Sequence, residues 1–219
     1  MTPTGVFVVF EGGDGAGKST QVKLLAAWLS EQAIAHRVTH EPGDTWLGAH
    51  IRRLVLSRDS GPISPRAEAL LYAADKAQHV DEVVVPELSR GTVVISDRYV
   101  DSTLAYQGAG RQVDQGELEH ISGWATRDLR PHLTVLLDVD PDRAVHAKAD
   151  PDRLESAGRD FHRRARELFL DLAAREPERY LVLDARDTRE SIARQVRERL
   201  RPLLEGAGLL EGAGRVGPS

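Results

Sequence analysis

The sequence predicts an α/β fold in which a mostly parallel sheet carries helices on both faces. Two observations predict it. Short β-branched runs alternate with longer amphipathic stretches, which is the pattern of successive βαβ units. Those short runs are also nearly continuous in apolar residues, as strands buried on both faces must be.

The elements follow in order. Val6 to Phe10 reads as the first strand, and a helix beginning near Lys18 follows it. There Val22, Leu25, Ala26 and Leu29 recur at helical spacing and make one buried stripe. Arg37 to Thr39, Thr92 to Ser96, Leu133 to Val139 and Tyr180 to Leu183 read as the other core strands. Further helices are expected over Leu47 to Leu56, Pro65 to Leu88, Asp114 to Thr126, Pro141 to Ala147, Thr188 to Leu204, and an arginine-rich stretch from Gly158 to Arg175. The hexapeptides 203–208 and 209–214 share the order Leu-Leu-Glu-Gly-Ala-Gly, too short and glycine-rich for a structural repeat. One domain is therefore expected over residues 1–204 and a disordered tail over 205–219.

The 219 residues are enough for one sizeable core, and 41% hydrophobic with 29% charged content is ordinary for a soluble domain. No stretch has the roughly 18 uncharged apolar residues of a membrane span, and the N-terminus lacks the charge and apolar run of a secretory signal. A cytoplasmic location is expected. The absence of cysteine excludes disulfides, thiol nucleophiles and cysteine zinc sites. A net charge of -5 argues against a broad nucleic-acid-binding surface, although a local basic pocket for a small anion stays compatible with it.

The most specific local signal is Gly12-Gly13-Asp14-Gly15-Ala16-Gly17-Lys18-Ser19, followed by Thr20. It satisfies G-x-x-x-x-G-K-[ST] between a predicted strand and a predicted helix, which is the context a phosphate-binding loop requires. Glycines let backbone N–H groups turn inward as an anion nest, the helix start adds a positive dipole end, and Lys18 supplies a point charge for the outer phosphates. Ser19 is then placed to ligate Mg²⁺. Such a loop fits a GTPase switch, a motor or a small-molecule kinase equally well. Asp97 ends the strand Thr92 to Ser96, so its carboxylate should emerge beside the loop where a Mg²⁺-ligand aspartate is needed. Arg98 follows and can fork onto phosphate oxygens bidentately.

The run Asp97-Arg98-Tyr99-Val100-Asp101-Ser102-Thr103-Leu104-Ala105-Tyr106-Gln107-Gly108 resembles the signature of bacterial thymidylate kinases. Phe10-Glu11-Gly12 before the loop, Glu41-Pro42-Gly43, Ile51-Arg52, Leu71-Tyr72-Ala73-Ala74-Asp75, Leu133-Thr134 and Asp152-Arg153-Leu154-Glu155 fall in that family's order, and the likeness covers about residues 5 to 204. The resemblance implies transfer of the γ-phosphate of ATP to dTMP, giving dTDP and ADP, with Mg²⁺ as cofactor. It also implies a homodimer, a five-stranded parallel sheet and a mobile lid at about 142–158.

Carried over by position, Gly12 to Thr20 and Lys148 would bind ATP, with Ser19 and Asp97 at the metal and Asp14 near the sugar and the metal. Arg98 would bridge the acceptor and donor phosphates. Arg52 would hold the acceptor phosphate, Tyr72 would stack on thymine, and Thr103 and Gln107 would hydrogen-bond the base. Tyr106 would pack beneath the deoxyribose and disfavour a 2′-hydroxyl, and Glu41 and Lys76 complete the acceptor set. Stacking on an aromatic face is worth about 1–3 kcal/mol but selects little, so polar partners must discriminate. Because the acceptor phosphate is already an oxyanion, catalysis is positioning and charge cancellation. Lys18, Arg98, Asp14 and Arg153 are the expected catalytic residues, and the eight histidines read as surface or structural.

Three positions depart from the family pattern. Lys76 stands where an arginine is usual, Asp44 replaces a glycine in the segment after Glu41, and the lid run Arg143 to Lys148 is poor in arginine, leaving Lys148 and Arg153 as its main charges. A kinase for dUMP or a modified pyrimidine, and a regulatory P-loop NTPase, remain the alternatives.

Overall fold

The computed structural model describes residues 5–141 and 158–211. Five strands form one wholly parallel sheet: β1 (Phe7–Gly12), β2 (His36–His40), β3 (Val93–Asp97), β4 (Leu133–Asp138) and β5 (Tyr180–Asp184), in the order β2-β3-β1-β4-β5. All five expected strands are present, shifted by one or two residues at their ends. The central strand β1 is registered Phe7 to Val94 on one side and Val8 to Leu133 on the other.

Alternation along β1 builds the layers. Val6, Val8 and Phe10 face one way, onto Val22, Leu25 and Leu29 of α1 (Lys18–Glu31) and Ile192, Val196 and Leu200 of α8 (Arg189–Gly206). Phe7 and Val9 face the other way, onto Val80, Val84 and Tyr99. The period of two places Glu11 on this second face, against the chain that follows β3.

Helix starts are set by short polar caps. Thr45 caps α2 (Trp46–Leu56), Ser64 caps α3 (Pro65–His79), Asp114 caps α6 (Gln115–Thr126) and Thr188 caps α8, each side chain accepting from a backbone N–H three residues on. The stretch 65–88 expected as one helix has three parts: α3, a π turn at Val80–Val84, and α4 (Val85–Ser89). Pro86 has no N–H to give, and the turn before it is wide enough that the Val85 N–H bonds the Val80 carbonyl.

One further helical segment follows β3, where the four-residue spacing of Thr103 and Gln107 is compatible with one helical face. α5 (Val100–Thr103) runs into a π-helical segment at Leu104–Gly110, so the residues after Asp97-Arg98 are helical and mostly buried. The Arg111 N–H closes its last wide turn onto the Tyr106 carbonyl. This segment packs on α7 (Arg159–Arg175), where Tyr106 stacks on Phe161 at a centroid distance of 5.8 Å.

The chain end differs from expectation as well. Helix α8 continues to Gly206, and Leu209 and Leu210 pack on the α1/α8 core, so residues 205–210 pack with the folded body, while 212–219 of the expected tail lie outside the described residues. The helix expected at Pro141 to Ala147 and the lid at about 142–158, with Lys148 and Arg153, lie outside the described residues but for their outermost positions.

Candidate active site

The carboxyl ends of the parallel strands carry the polar residues, as expected for a sheet of this topology. β1 leads into the glycine-rich loop, and the loop into α1. No side chain caps α1; Gly17 holds that position with φ 91°, leaving the first-turn N–H groups for an anion. Gly12 has φ 129°, and a Cβ there would collide with the Leu137 carbonyl oxygen of β4. The loop therefore begins with glycine because a neighbouring strand passes too close for any side chain.

Lys18 is buried, and its Nζ donates to the carbonyls of Gly12 at 2.9 Å and Gly13 at 2.8 Å. Burial, aided by the nearby Arg98 cation, pulls its pKa down to about 8. Ser19 Oγ donates to Asp97 Oδ2 at 2.8 Å, which joins the start of α1 to the end of β3. These two hard oxygen donors suit Mg²⁺, which takes few protein ligands and completes its shell with water and phosphate. Among the described residues no group of three or more His, Cys, Asp or Glu side chains is arranged to hold a metal.

Arg98 is the hub. Its backbone is left-handed, with φ 75°, a conformation costing about 1–2 kcal/mol for a residue with a Cβ. The Arg98 N–H bonds the Phe10 carbonyl at 2.9 Å. Its guanidinium donates to Asp14 Oδ1 at 2.5 Å, Ser102 Oγ at 3.0 Å, Gly12 O at 3.2 Å and the Tyr106 hydroxyl at 3.4 Å, and lies 5.2 Å from the Tyr106 ring centroid. Burial alone would push the Asp14 carboxyl up, but the Arg98 and Lys18 cations outweigh it and hold it below the usual carboxylate range.

A cavity of about 120 Å³ opens beside Arg98. Glu41, Arg52, Tyr72, Lys76, Arg98, Thr103, Tyr106 and Gln107 all line it, together with Asp14. The eight residues expected on the acceptor side thus come from four separate stretches of chain and surround one space. Tyr72 is buried against Ile51 and Val55. Arg52 donates to the Pro42 carbonyl at 2.8 Å. Thr103 and Gln107 share the helical segment after Arg98, and the buried Thr103 Oγ1 has no protein partner. The Gln107 amide donates to Glu68 Oε1 at 3.1 Å, which orients it so that its carbonyl oxygen is the atom left to accept.

Both departures within the described residues acquire a physical account. Asp44 turns toward β2, accepting from Arg37 at 2.8 Å and Thr39 at 2.7 Å, so its charge is matched there. Lys76 is buried, with Nζ 3.0 Å from Glu41 Oε2 and 5.8 Å from the Tyr72 ring centroid.

Sequence reading passed over three groups, two of them fully buried. Glu11 accepts from the N–H groups of Tyr99 at 2.8 Å and Ser102 at 3.2 Å, and from Ser102 Oγ at 2.6 Å, so it moors the loop that carries Arg98. Burial pushes its pKa up against these bonds. A carboxylate inside an apolar strand was the available signal. Asp101 is pushed up to about 7 by burial, with Glu11 adding to the shift, and accepts from the Tyr180 hydroxyl at 2.7 Å. His79, set aside with the other histidines, is 1% exposed, with Nδ1 2.6 Å from Glu41 Oε1 and Nε2 2.6 Å from Thr39 Oγ1. Its signal was its place three residues after Lys76, on the same helical face.

Comparison with known proteins agrees with this geometry. The thymidylate kinase family model matches residues 10–196. A thymidylate kinase of Cutibacterium acnes is 62% identical over 200 residues, covering 91% of this chain and 98% of that protein. One from Clavibacter michiganensis subsp. michiganensis is 54% identical over 206 residues, covering 92% and 97%. The crystal structure of thymidylate kinase from Ehrlichia chaffeensis superposes with a TM-score of 0.74 at 30% identity, over 91% of this chain and all of that one. With its phosphate loop, its arginine hub and the cavity beside them in one arrangement, this chain belongs to the thymidylate kinase family.

Proposed function

We propose that this protein transfers the γ-phosphate of ATP to dTMP, giving dTDP and ADP. The observation that carries the reading is the single cavity whose wall holds an aromatic face, an ammonium, a guanidinium and an unpartnered hydroxyl, a short step from the phosphate loop across Arg98. A regulatory NTPase has no use for such a second compartment.

In this mechanism an acceptor phosphate oxygen bonds to the γ-phosphorus as the bond to the β,γ-bridging oxygen breaks, and ADP leaves. The acceptor oxygen is already anionic, so no base is needed. The N–H groups at the start of α1 and Lys18 take the donor phosphates. Arg98, tied at once to Gly12 and to Tyr106 and Asp14, stands between donor and acceptor, where negative charge accumulates on the transferred group. Mg²⁺ held by Ser19, with Asp97 beside it, would supply charge neutralisation on the phosphates when bound. Tyr72 takes the base face, Arg52 the acceptor phosphate and Tyr106 the sugar.

On the base edge, the Lys76 ammonium can only donate and the Gln107 carbonyl can only accept. That pairing fits a pyrimidine with a carbonyl oxygen beside a ring N–H, as in thymine or uracil, and disfavours cytosine. Coupled ADP release with dTMP, dUMP, dCMP and dGMP as acceptors tests the whole reading. Release dependent on dTMP supports it, a preference for dUMP would reassign the acceptor, and acceptor-independent hydrolysis would sink it.

The lid arginine belongs to the same proposal. Arg153→Ala is expected to lower kcat, and a near wild-type kcat would remove Arg153 from the mechanism. A homodimer is proposed too, supported by the exposed Trp46 and Leu54 on α2, Leu70 on α3 and Trp124 on α6, helices that pack in series. Sedimentation at micromolar concentration checks it; a monomer would contradict it. No described helix is long and apolar enough to cross a membrane.

A further inference from the structure

Behind the cavity wall, hydrogen bonding continues away from the substrate. Lys76 pairs with Glu41 Oε2 at 3.0 Å, Glu41 Oε1 meets His79 Nδ1 at 2.6 Å, and His79 Nε2 meets Thr39 Oγ1 at 2.6 Å. Thr39 Oγ1 in turn donates to Asp44 Oδ2 at 2.7 Å, and Asp44 pairs with Arg37 at 2.8 Å. Thr39, Glu41, Lys76 and His79 are each no more than 3% exposed, so water does not substitute for the bonds among these four.

Proton counting fixes the direction of every link. A threonine hydroxyl has one proton, and here it goes to Asp44, so His79 Nε2 must be the donor to Thr39. Glu41 is ionised: burial opposes its charge, but Lys76 and His79 outweigh burial and hold its pKa below the usual carboxylate range. An ionised carboxylate 2.6 Å from Nδ1 requires a proton on that nitrogen too. Both ring nitrogens are then donors, and the ring is an imidazolium. Its pKa is raised in agreement, because the hydrogen bond and charge of Glu41, with Asp75 and Asp44 on other sides, outweigh burial.

Lys76 meets the carboxylate at Oε2, as an ion pair 3.0 Å long whose geometry depends on where the carboxylate is held. The other carboxylate oxygen, Oε1, is anchored by His79. We propose that His79 is a positioning residue for the acceptor side, which as an imidazolium holds Glu41 so that Glu41 aims the Lys76 ammonium at the base. Asp44, the residue that departs from the family pattern, completes the device by drawing the Thr39 proton outward and leaving Thr39 to accept from the ring.

The inference rests on the cavity being the dTMP site. The wild-type protein is therefore tested first, since absence of dTMP phosphorylation defeats that reading before any variant is made. The variants then separate the two ring nitrogens. His79→Asn places an amide N–H near Nδ1 and keeps the bond to Glu41, whereas His79→Gln places one near Nε2 and keeps only the bond to Thr39. His79→Gln is expected to raise KM for dTMP ~10-fold or more, the loss of one hydrogen bond to a charged group, with KM for ATP unchanged. His79→Asn, which keeps the bond to Glu41 and loses only the one to Thr39, should raise KM for dTMP by no more than ~3-fold, with KM for ATP unchanged. An equal rise in both variants, or a parallel rise for ATP, would make His79 a packing residue and overturn the proposal. Thr39→Val, which preserves shape in the strand, covers the case in which both ring variants fail to fold: a ~3-fold rise in KM for dTMP alone supports the relay, and an unchanged value overturns it.

Discussion

The Arg98 guanidinium donates to Asp14 Oδ1 at 2.5 Å, joining the phosphate loop to a residue 84 positions away at the end of β3. The same guanidinium reaches the Gly12 carbonyl and the Tyr106 hydroxyl, so one planar cation touches the phosphate loop and the cavity wall together. Lysine has no fork with which to make these contacts at once. Arg98→Lys is expected to lower kcat by ~10²–10³, the scale of losing one preorganised donor at a developing charge, with a smaller change in KM for ATP. Steady-state kinetics in both substrates checks this, and a kcat within a factor of three of wild type would contradict it.

Lys18 loses its proton at about pH 8 in the free protein, because burial penalises its charge and Arg98 repels it. The charged form is the one that attracts phosphate. As pH rises through about 8, kcat/KM for ATP, which reports ionisations of the enzyme before ATP binds, should fall tenfold per unit. A profile measured from pH 6.5 to 10 at saturating dTMP that stayed flat would show that the lysine keeps its proton.

Asp101 titrates at about 7 in the folded protein, well above the ordinary aspartate value of about 3.9. Between those two values the folded state binds more protons than the unfolded state, so its contribution to stability falls as pH rises through that window. Asp101→Asn keeps an oxygen for the Tyr180 hydroxyl and removes the ionisation. The Tm of the variant minus that of wild type should grow from pH 4 to pH 8 and then level off. Each pKa unit is worth about 1.4 kcal/mol, and each kcal/mol about 2–4 °C for a chain of this size. A difference independent of pH would refute the assignment.

Gly12 and Gly13 are adjacent but not equivalent. A Cβ at Gly12 meets the backbone carbonyl of Leu137, which cannot move without breaking the β1/β4 pairing, whereas a Cβ at Gly13 meets only the end of the Val139 side chain at 3.1 Å. Gly12→Ala should therefore cost about 1–3 kcal/mol of stability as overpacking against a fixed wall. Gly13→Ala should cost much less, with denaturant midpoints as the comparison. Equal losses would locate the strain elsewhere.

The five strands, the phosphate loop and most of the helices were legible in the sequence, because apolar periodicity, caps and the G-x-x-x-x-G-K-[ST] spacing are local properties of the chain. The residues that line the cavity beside Arg98 were legible as a set through resemblance, since each short motif keeps its own residues whatever its distance from the others. What the sequence could not contain was the pairing between motifs. Glu11 meets Ser102 across 91 positions, His79 meets Glu41 across 38 and Gln107 meets Glu68 across 39. No periodicity links such partners. The wide turns at 80–84 and 104–110 were hidden too, since they answer to Pro86 and to packing on α7. Only the folded sheet, by bringing the carboxyl ends of β1, β2 and β3 side by side, decided that Asp44 would turn outward and that Lys76 would be aimed by a carboxylate and a buried imidazolium. The physical reason is that a buried charge must find its partner within a few ångströms, and which groups lie that close is settled by tertiary packing.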